Sequence, residues 1–375
     1  MSQLFIGLMS GTSMDGIDAV LVDLSAMDEA RVDVLGHVHR PFAATLAAEL
    51  LALNSTQPDE LHRAALAGNA LARAYADAVR ALLASADVAP QRVRAIGAHG
   101  QTVRHQPQQF DGTGYTLQLN NPALLAEATG IDVVADLRGR DLAAGGQGAP
   151  LVPAFHRALF ARPGESLAVL NLGGISNLTL LGADGGVFGF DCGPGNALMN
   201  QWTQRHQGRP YDDGGHWAAS GRVVEPLLGA LQREPYFALR PPKSTGRDLF
   251  HHGWLDAQLQ PFAAQHLRPE DVQATLAELT AWVCARDLRD GAPQAKQLLV
   301  CGGGAFNGHL LGRIAALAPG VSVATTATRG LPPDQVEACA FAWLARMFVE
   351  RRPASLPSVT GARGARVLGA LYPAG

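Results

Sequence analysis

The side chains best suited to chemistry near the start of the chain lie in one short polar segment, residues 10–16, which reads Ser-Gly-Thr-Ser-Met-Asp-Gly. Its glycines, Gly11 and Gly16, let backbone N–H groups approach an anion closely, and its hydroxyl side chains donate hydrogen bonds. The carboxylates of Asp15 and Asp18 are suited to holding Mg²⁺ through water. Together these residues predict a site for the terminal phosphates of a nucleotide. An ordinary hairpin turn with Asx-type hydrogen bonds is the alternative.

A second polar segment with glycines follows the apolar run 167–172 and reads Gly173-Gly174-Ile175-Ser176-Asn177. Like the first segment it combines glycines with a hydroxyl side chain, and it adds the amide of Asn177. Further on, the apolar run 187–190 leads to Asp191-Cys192-Gly193-Pro194-Gly195-Asn196 and then to a predicted helix, 197–206. A carboxylate near a helix N-terminus is stabilised as the anion, and the glycines leave room for a ligand. The alternative is that Asp191 only caps this helix.

Polar side chains also follow two other predicted strands, at the edge where α/β proteins bind their ligands. His99 and Gln101 follow the strand 93–98, and Arg138 follows the strand 131–135. His99 is thus a candidate ligand contact, although a satisfied core histidine is the alternative. Arg138 lies in an Arg- and Asp-rich stretch before a glycine-dense loop, which suits a carboxylate or a phosphate because arginine presents a planar fork of donors. A surface cluster of ion pairs is the alternative there.

The third group of candidates is the triple glycine Gly302-Gly303-Gly304 at the end of the predicted strand 297–301. Backbone without side chains is able to lie flat against an adenosine. Neither a Walker A motif nor a GxGxxG motif is present, because no Lys-Ser or Lys-Thr follows and the spacing differs. Asn307 opens the next helix. A tight turn from strand to helix is the alternative for the glycines.

These segments need a framework of strands and helices to position them. The first polar turn lies between the predicted strands 4–9 and 17–24, and the second between 167–172 and 178–181, so a strand–turn–strand unit occurs twice. The apolar spacing predicts helices at 61–84, 122–129, 269–290, 308–318 and 335–349, the last with Asp334 as its N-cap, and a final strand at 365–371. The pattern predicts an α/β protein with two lobes.

Composition excludes several classes of protein. The chain has 375 residues, 47% of them hydrophobic and 17% charged, with a net charge of −3. Without a block of Lys and Arg, nucleic acid is not an expected partner. No apolar run reaches the ~18 residues that span a bilayer, and the first residues lack the pattern of a signal peptide. The four cysteines are scattered and predict neither zinc nor a disulfide framework. We therefore expect a cytoplasmic protein.

Eight motifs, in order along nearly the whole chain, resemble those of the anhydro-N-acetylmuramic acid kinase family. They are MSGTSMDGID (9–18), GAHGQTVRH (97–105), DLRGRDLAAGGQGAPLVPAFH (136–156), NLGGISNLT (171–179), FDCGPGNALMN (190–200), PKSTGRDLF (242–250), GGGAFN (302–307) and VEACAFAWLA (336–345). Two positions depart from the family pattern, with Cys192 in place of a threonine and Asn200 in place of an aspartate.

The resemblance implies a two-lobed, actin-like ATPase of the ribonuclease H-like and hexokinase type, with nucleotide and sugar in a cleft. The expected lobes are 1–135 with 346–375, and 136–345. The implied ligands are ATP, with Mg²⁺ carried by the ATP rather than by a firmly assigned protein site, and 1,6-anhydro-N-acetylmuramic acid; a homodimer is also expected. Water opens the 1,6-anhydro bridge while O6 is phosphorylated, giving N-acetylmuramic acid 6-phosphate for peptidoglycan recycling.

The resemblance also implies roles for the residues named above. Asp191 is the expected general base, since water must be activated to attack the anomeric carbon. The expected ATP-binding residues are Gly11, Thr12, Ser13, Met14, Asp15, Gly16, Ile17, Asp18, Asn171, Gly173, Gly174, Gly302, Gly303, Gly304 and Asn307. The expected sugar-binding residues are His99, Gln101, Arg138, Gly193, Gly195, Asn196 and Glu337.

Two other functions are open from the sequence. The first is a kinase for another sugar or a small carboxylic acid on the same scaffold. The second is a nucleotide-dependent sugar sensor that binds both ligands without turnover. Turnover of the anhydro sugar separates these hypotheses.

Overall fold

The chain forms two compact units, residues 1–160 with 335–375 and residues 161–334. The structure is a computed structural model that describes residues 2–11, 14, 16–27, 30–241, 243–246 and 249–375. The sequence prediction divided the chain after residues 135 and 345 instead. The difference arises because the segment 136–160 and the helix that begins at Val336 pack within the first unit.

The first unit is built on a six-stranded sheet in the order β13-β7-β4-β1-β2-β3. Its strands are β1 (Leu4–Met9), β2 (Gly16–Asp23), β3 (Asp33–Pro41), β4 (Val93–Ala98), β7 (Val133–Ala135) and β13 (Ala370–Tyr372). β1, β2 and β3 are antiparallel, whereas β4 is parallel to β1 and to β7. A separate hairpin consists of β5 (Gln101–Pro107) and β6 (Gly114–Leu119).

Three helices of the first unit pack on this sheet: α2 (Glu60–Ala86), α3 (Pro122–Thr129) and α12 (Val336–Val349). The other helices of the unit are α1 (Ala44–Ala52), α4 (Gly139–Ala143), α5 (Val152–Phe160) and α13 (Pro357–Thr360). The stripe of α2 packs against β1, β2 and β4 in one core, as its helical spacing predicted.

The second unit has a five-stranded sheet in the order β10-β9-β8-β11-β12. Its strands are β8 (Leu167–Leu172), β9 (Ile175–Leu181), β10 (Val187–Pro194), β11 (Gln297–Cys301) and β12 (Ser322–Thr325). Its helices are α6 (Ala197–Gln207), α7 (His216–Ser220), α8 (Glu225–Leu231), α9 (His252–Leu259), α10 (Pro269–Gly291) and α11 (Gly308–Leu317). The long helix α10, with Pro269 at its start as predicted, is buried at the centre of this unit.

Both sheets have the same order and the same strand directions. In each, the first three strands are antiparallel neighbours, and the fourth and fifth continue on the other side of the first in parallel, giving 3-2-1-4-5. In the first unit, β13 adds an antiparallel edge strand. This duplication confirms the predicted actin-like, ribonuclease H-like fold class.

Several local predictions were wrong in their details. The N-cap of α12 is Gln335 rather than Asp334, and α10 ends at Gly291, one residue beyond its predicted end. The last strand is Ala370–Tyr372, because only these residues pair with β7. The strand predicted to end at Phe190 continues to Pro194, because β10 keeps its pairing with β9.

Two glycines set the distance between α12 and the sheet of the first unit. A Cβ on Gly7 of β1 would lie 1.8 Å from the carbonyl oxygen of Ala338, and a Cβ on Gly97 of β4 would lie 2.0 Å from that of Phe341. The helix backbone therefore rests directly on the backbone of two strands. Among the described residues, no helix is both long and apolar enough to cross a bilayer.

Candidate active site

The polar turn after β1 is anchored by buried side chains of the first unit. The Oγ of Ser10 lies 2.8 Å from the hydroxyl oxygen of Tyr75 on α2 and donates to the carbonyl of Gly100 at 3.2 Å. The Nε2 of Gln101 donates to the carbonyl of Gly11 at 3.1 Å. Burial raises the pKa of the Tyr75 hydroxyl, which therefore stays protonated. These contacts join the first predicted phosphate turn to the strand end that was predicted to bind sugar.

Other predicted residues of this turn are packed against the protein and are not directed towards a ligand. Met14 packs its side chain into a small cluster with Leu50 and Val103, and Ile17 is part of the main core. A Cβ on Gly16 would lie 2.3 Å from the carbonyl oxygen of Arg40, so this glycine serves strand packing. Thr12, Ser13 and Asp15 lie outside the described residues.

Asp18, predicted to act with the phosphate turn, lies on β2 with its carboxylate against two histidines. Its Oδ1 is 2.9 Å from the Nδ1 of His39 and 3.2 Å from the Nε2 of His37. Over the ranges that the structure describes, no three His, Cys, Asp or Glu side chains are grouped so as to hold a metal ion.

Arg138 and His99, predicted separately from two strand ends, are in direct contact. The Nη2 of Arg138 donates to the Nε2 of His99 at 2.8 Å, and its Nη1 donates to the carbonyl of Gly148 at 2.7 Å. Burial, reinforced by the charge of Arg138, lowers the pKa of His99 to about 3, and the same two causes lower the pKa of His105 to about 4. Both rings are therefore neutral at pH 7 and add no charge to the guanidinium.

In the second unit, the predicted residues come together where β8, β9 and β10 meet. The carbonyl of Gly173 accepts from the N–H of Asn196 at 2.8 Å, and that of Gly174 accepts from the N–H of Gly195 at 2.9 Å. The side-chain amide of Asn196 donates to the carbonyl of Leu172 at 3.0 Å. The second glycine turn and the start of α6 thus form one hydrogen-bonded unit.

The triple glycine after β11 joins the same cluster. Gly302 has a positive φ of 79°, and a Cβ there would lie 2.3 Å from the Oδ1 of Asn171. A Cβ on Gly304 would lie 3.0 Å from the side-chain amide of Asn196, whereas one on Gly303 would have no described atom within 4 Å. Asn307 accepts from the N–H of Leu310 at 2.9 Å and is the N-cap of α11. Gly303 therefore faces open space between two closely packed neighbours.

Asp191 lies on β10 rather than in a loop at a helix start. β10 and β9 shift register between Asp191 and Gly193, which is the signature of a β-bulge, a feature that commonly re-aims side chains next to active sites. The Oδ2 of Asp191 accepts from the N–H of Thr245 at 3.0 Å. The N-cap position of α6 belongs to Asn196. The carboxylate of Asp191 thus accepts a backbone hydrogen bond from Thr245, and Asp191 does not cap α6.

Sequence reasoning missed several residues that hold these clusters together. Tyr75 lies within the helix predicted at 61–84, and its hydroxyl contact with Ser10 needs the folded sheet. Ser176, read as a turn residue, instead donates from β9 to the carbonyl of Gly193 at 3.1 Å. Thr280 on α10 donates to the carbonyl of Gly195 at 3.1 Å. The other predicted carboxylate, Glu337, lies half-buried in the first turn of α12.

The duplicated sheet order places the protein in the actin-like fold class, which includes the sugar kinases. Comparison with known proteins specifies the family. The sequence profile of the family described as Anhydro-N-acetylmuramic acid kinase matches residues 3–374.

Individual relatives agree with that match. A protein with the name anhydro-N-acetylmuramic acid kinase from Variovorax paradoxus is 62% identical over 377 residues, which cover 99% of each chain. Another of that name, from Albidiferax ferrireducens, is 60% identical over 394 residues, which cover 100% of each chain. The chain belongs to the anhydro-N-acetylmuramic acid kinase family.

Proposed function

We propose that this protein uses ATP to phosphorylate O6 of 1,6-anhydro-N-acetylmuramic acid while water opens the anhydro bridge. The C1–O6 bond breaks, the water oxygen bonds to C1, and O6 receives the γ-phosphoryl group, so that the products are N-acetylmuramic acid 6-phosphate and ADP. The observation that carries the proposal is the family match over residues 3–374. Such a kinase acts in peptidoglycan recycling and amino-sugar catabolism.

Asp191 is the proposed general base. Water is a weak nucleophile, and a carboxylate that removes its proton in the transition state is the standard means of activating it. The bulge in β10 and the hydrogen bond from the N–H of Thr245 both support this role, because they set the direction of the side chain and favour its ionised form. Asp191 then removes the proton from water as the C1–O6 bond breaks.

We propose that the glycine turns bind the nucleotide. The turn at Ser10 and Gly11, the turn at Gly173 and Gly174, and the backbone around Gly303 would receive the phosphates and the adenosine. Mg²⁺ would enter bound to the phosphates and neutralise charge that develops during transfer. Asp18, whose carboxylate already contacts His37 and His39, fits a contact to that ion through water rather than direct coordination.

The sugar is proposed to contact His99, Gln101, Arg138, Asn196 and Glu337. Arg138 is the proposed partner of the lactyl carboxylate, since its guanidinium is oriented by a neutral His99.

Because ATP is the phosphoryl donor, we place the reaction in the cytoplasm. A homodimer stays a prediction.

Gly303→Val is expected to weaken ATP binding without lowering the melting temperature. Its Cβ faces open space within the unit, so the added side chain should collide with the nucleotide and not with the protein. Overpacking of this kind costs about 1–3 kcal/mol, or roughly 5- to 150-fold in Kd. Calorimetric titration with ATP and a thermal melt measure the two quantities.

Gly229→Val is the matched control, because a Cβ on Gly229 of α8 also has no described atom within 4 Å. It should leave both ATP affinity and melting temperature unchanged. If Gly303→Val is folded and binds ATP with the parent Kd, the glycine loop does not contact the nucleotide.

The proposed function is tested by incubating the protein with Mg-ATP and 1,6-anhydro-N-acetylmuramic acid and identifying products by mass spectrometry. The expected product is N-acetylmuramic acid 6-phosphate with one ADP per sugar. Turnover of another sugar in its place would favour the alternative kinase, and tight binding of both ligands with no product would favour the sensor.

A further inference from the structure

Asp191 is held from one side by a short stretch of chain that follows α8. The hydroxyl of Tyr236 donates to the carbonyl of Asp191 at 2.7 Å. The N–H of Asp191 donates to the carbonyl of Lys243 at 3.2 Å, and the N–H of Thr245 donates to the Asp191 carboxylate at 3.0 Å. The direction of the carboxylate thus depends on where the segment 243–246 lies.

The side chain of Lys243 fixes that segment through a contact with α10. It is 2% exposed, and its Nζ lies 3.1 Å from the Oδ2 of Asp287 on α10. The ammonium also lies 5.1 Å from the ring centroid of Tyr236 and 5.6 Å from that of Phe190, within the range of cation–π attraction. The Nε of Arg286 donates to the other Asp287 oxygen at 2.9 Å. Lys243 is therefore held by its head group as well as by its backbone.

A buried lysine needs a reason, because lysine is almost never fully buried unless it is paired. Taking both charges out of water offsets most of their attraction, so a buried pair adds little stability compared with apolar side chains of similar volume. The pair does fix the position of the Lys243 side chain, because an ammonium between a carboxylate and two aromatic rings can occupy few other positions. The buried ion pair is therefore better explained by the precise position it gives to the segment 243–246 than by a gain in folding stability.

We propose that Lys243 is a positioning residue for Asp191. Its ion pair with Asp287 fixes the segment 243–246, so that the N–H of Thr245 holds the Asp191 carboxylate towards the attacking water. The proposal rests on the proposed function, in which Asp191 is the general base.

Lys243→Met, which keeps the length of the side chain, is expected to lower kcat by about 10- to 100-fold, the range for a catalytic group displaced by up to 1 Å. The Kd for ATP should not change. The acid limb of the kcat/KM profile should move to higher pH, because a weaker bond from Thr245 no longer favours the carboxylate form of Asp191.

Other groups near Asp191 must be considered in that profile. Burial raises the pKa of the Tyr236 hydroxyl and that of the Cys192 thiol, so both stay neutral over the range of the experiment. Among the residues that the structure describes, the charged side chains of this ion-pair cluster are Lys243, Asp287 and Arg286. Since Lys243→Met removes one positive charge, a second variant is needed that leaves the local net charge unchanged.

That variant is Lys243→Met combined with Asp287→Leu, which replaces the ion pair by apolar groups and should restore a melting temperature that the single change lowers. We expect its kcat to stay reduced by about 10- to 100-fold and its acid limb to stay displaced.

The matched control removes the ion pair between Glu278, also on α10, and Arg313, in which the Nε of Arg313 lies 2.7 Å from the Oε2 of Glu278. Glu278→Leu with Arg313→Met should leave kcat and the pH profile unchanged.

A folded Lys243→Met/Asp287→Leu protein with the parent kcat and the parent acid limb would overturn the positioning role and show that the pair only contributes to stability. Asp191→Asn is measured in the same assay to keep the two proposals apart. If Asp191→Asn is inactive while the double variant behaves as the parent, only the positioning role fails. If Asp191→Asn itself turns over normally, the assignment of the base fails, and the positioning role fails with it.

Discussion

Replacing Asp191 by Asn is expected to lower turnover by about 10²–10⁴-fold, the usual contribution of a general base. Removal of a negative charge that faces the oxocarbenium character of the transition state adds to that loss. The substitution is nearly isosteric, and the amide oxygen of Asn still accepts from the N–H of Thr245. The bonds to Lys243 and Tyr236 use main-chain atoms of residue 191 and are kept. ATP affinity and melting temperature should therefore equal those of the parent.

Asp184→Asn is the matched control for that measurement. Asp184 is exposed in the turn between β9 and β10, where its carboxylate accepts from the N–H of Gly186 at 2.9 Å. Its replacement should leave turnover unchanged. If Asp191→Asn turns over within about tenfold of the parent, a factor below the range of general-base catalysis, Asp191 is not the base and Glu337 is the next carboxylate to test.

Gly7→Ala and Gly97→Ala are expected to give the largest losses of stability in the first unit. Each added methyl group would meet a backbone carbonyl of α12, at 1.8 Å and 2.0 Å respectively, and a helix backbone cannot move aside as a flexible side chain does. Overpacking a core costs about 1–3 kcal/mol when side chains adjust, so we expect at least about 3 kcal/mol for each variant. Denaturant unfolding measures this loss.

Gly364→Ala serves as the control in the same unit. Its methyl group would meet only the end of the flexible Arg366 side chain, at 3.0 Å, and the free energy of unfolding should stay within about 0.5 kcal/mol of the parent. If Gly7→Ala is as stable as Gly364→Ala, α12 does not lie directly on β1.

Much of the fold could be predicted from the sequence, because apolar runs bounded by turn residues specify their own ends. The strands at Val93–Ala98 and Gln297–Cys301 and the helix at Pro122–Thr129 have the predicted bounds. Both strand–turn–strand units were also recognisable, since each combines two β-rich runs with glycine between them. The presence of two such units predicted two lobes with the same arrangement of strands.

β10 could not be read in the same way. The residues Asp191, Gly193 and Pro194 are typical of loops, so local signals ended the strand at Phe190. Pairing with β9 overrides them, and the bulge at Cys192 absorbs the extra residue. A prediction from composition alone has no information on that partner strand.

The candidate residues were predicted one at a time, whereas their contacts depend on tertiary structure. His99 and Arg138 were both named, but nothing in the sequence showed that one donates to the other. The sequence showed Lys243 only as part of the motif PKSTGRDLF, and the burial of its side chain against Asp287 depends on the packing of α10. The close approach of α12 to Gly7 likewise involves residues more than 300 positions apart in the chain.

The central claim is that ring opening and phosphorylation are one coupled reaction, and labelled water tests it most directly. The protein is incubated with Mg-ATP and 1,6-anhydro-N-acetylmuramic acid in H₂¹⁸O, and the product is fragmented in the mass spectrometer. The account predicts one ¹⁸O at C1 of N-acetylmuramic acid 6-phosphate and none in the phosphate, because water attacks the anomeric carbon and O6 attacks the γ-phosphoryl group. Label in the phosphate, or a phosphorylated sugar with its anhydro bridge intact, would contradict it.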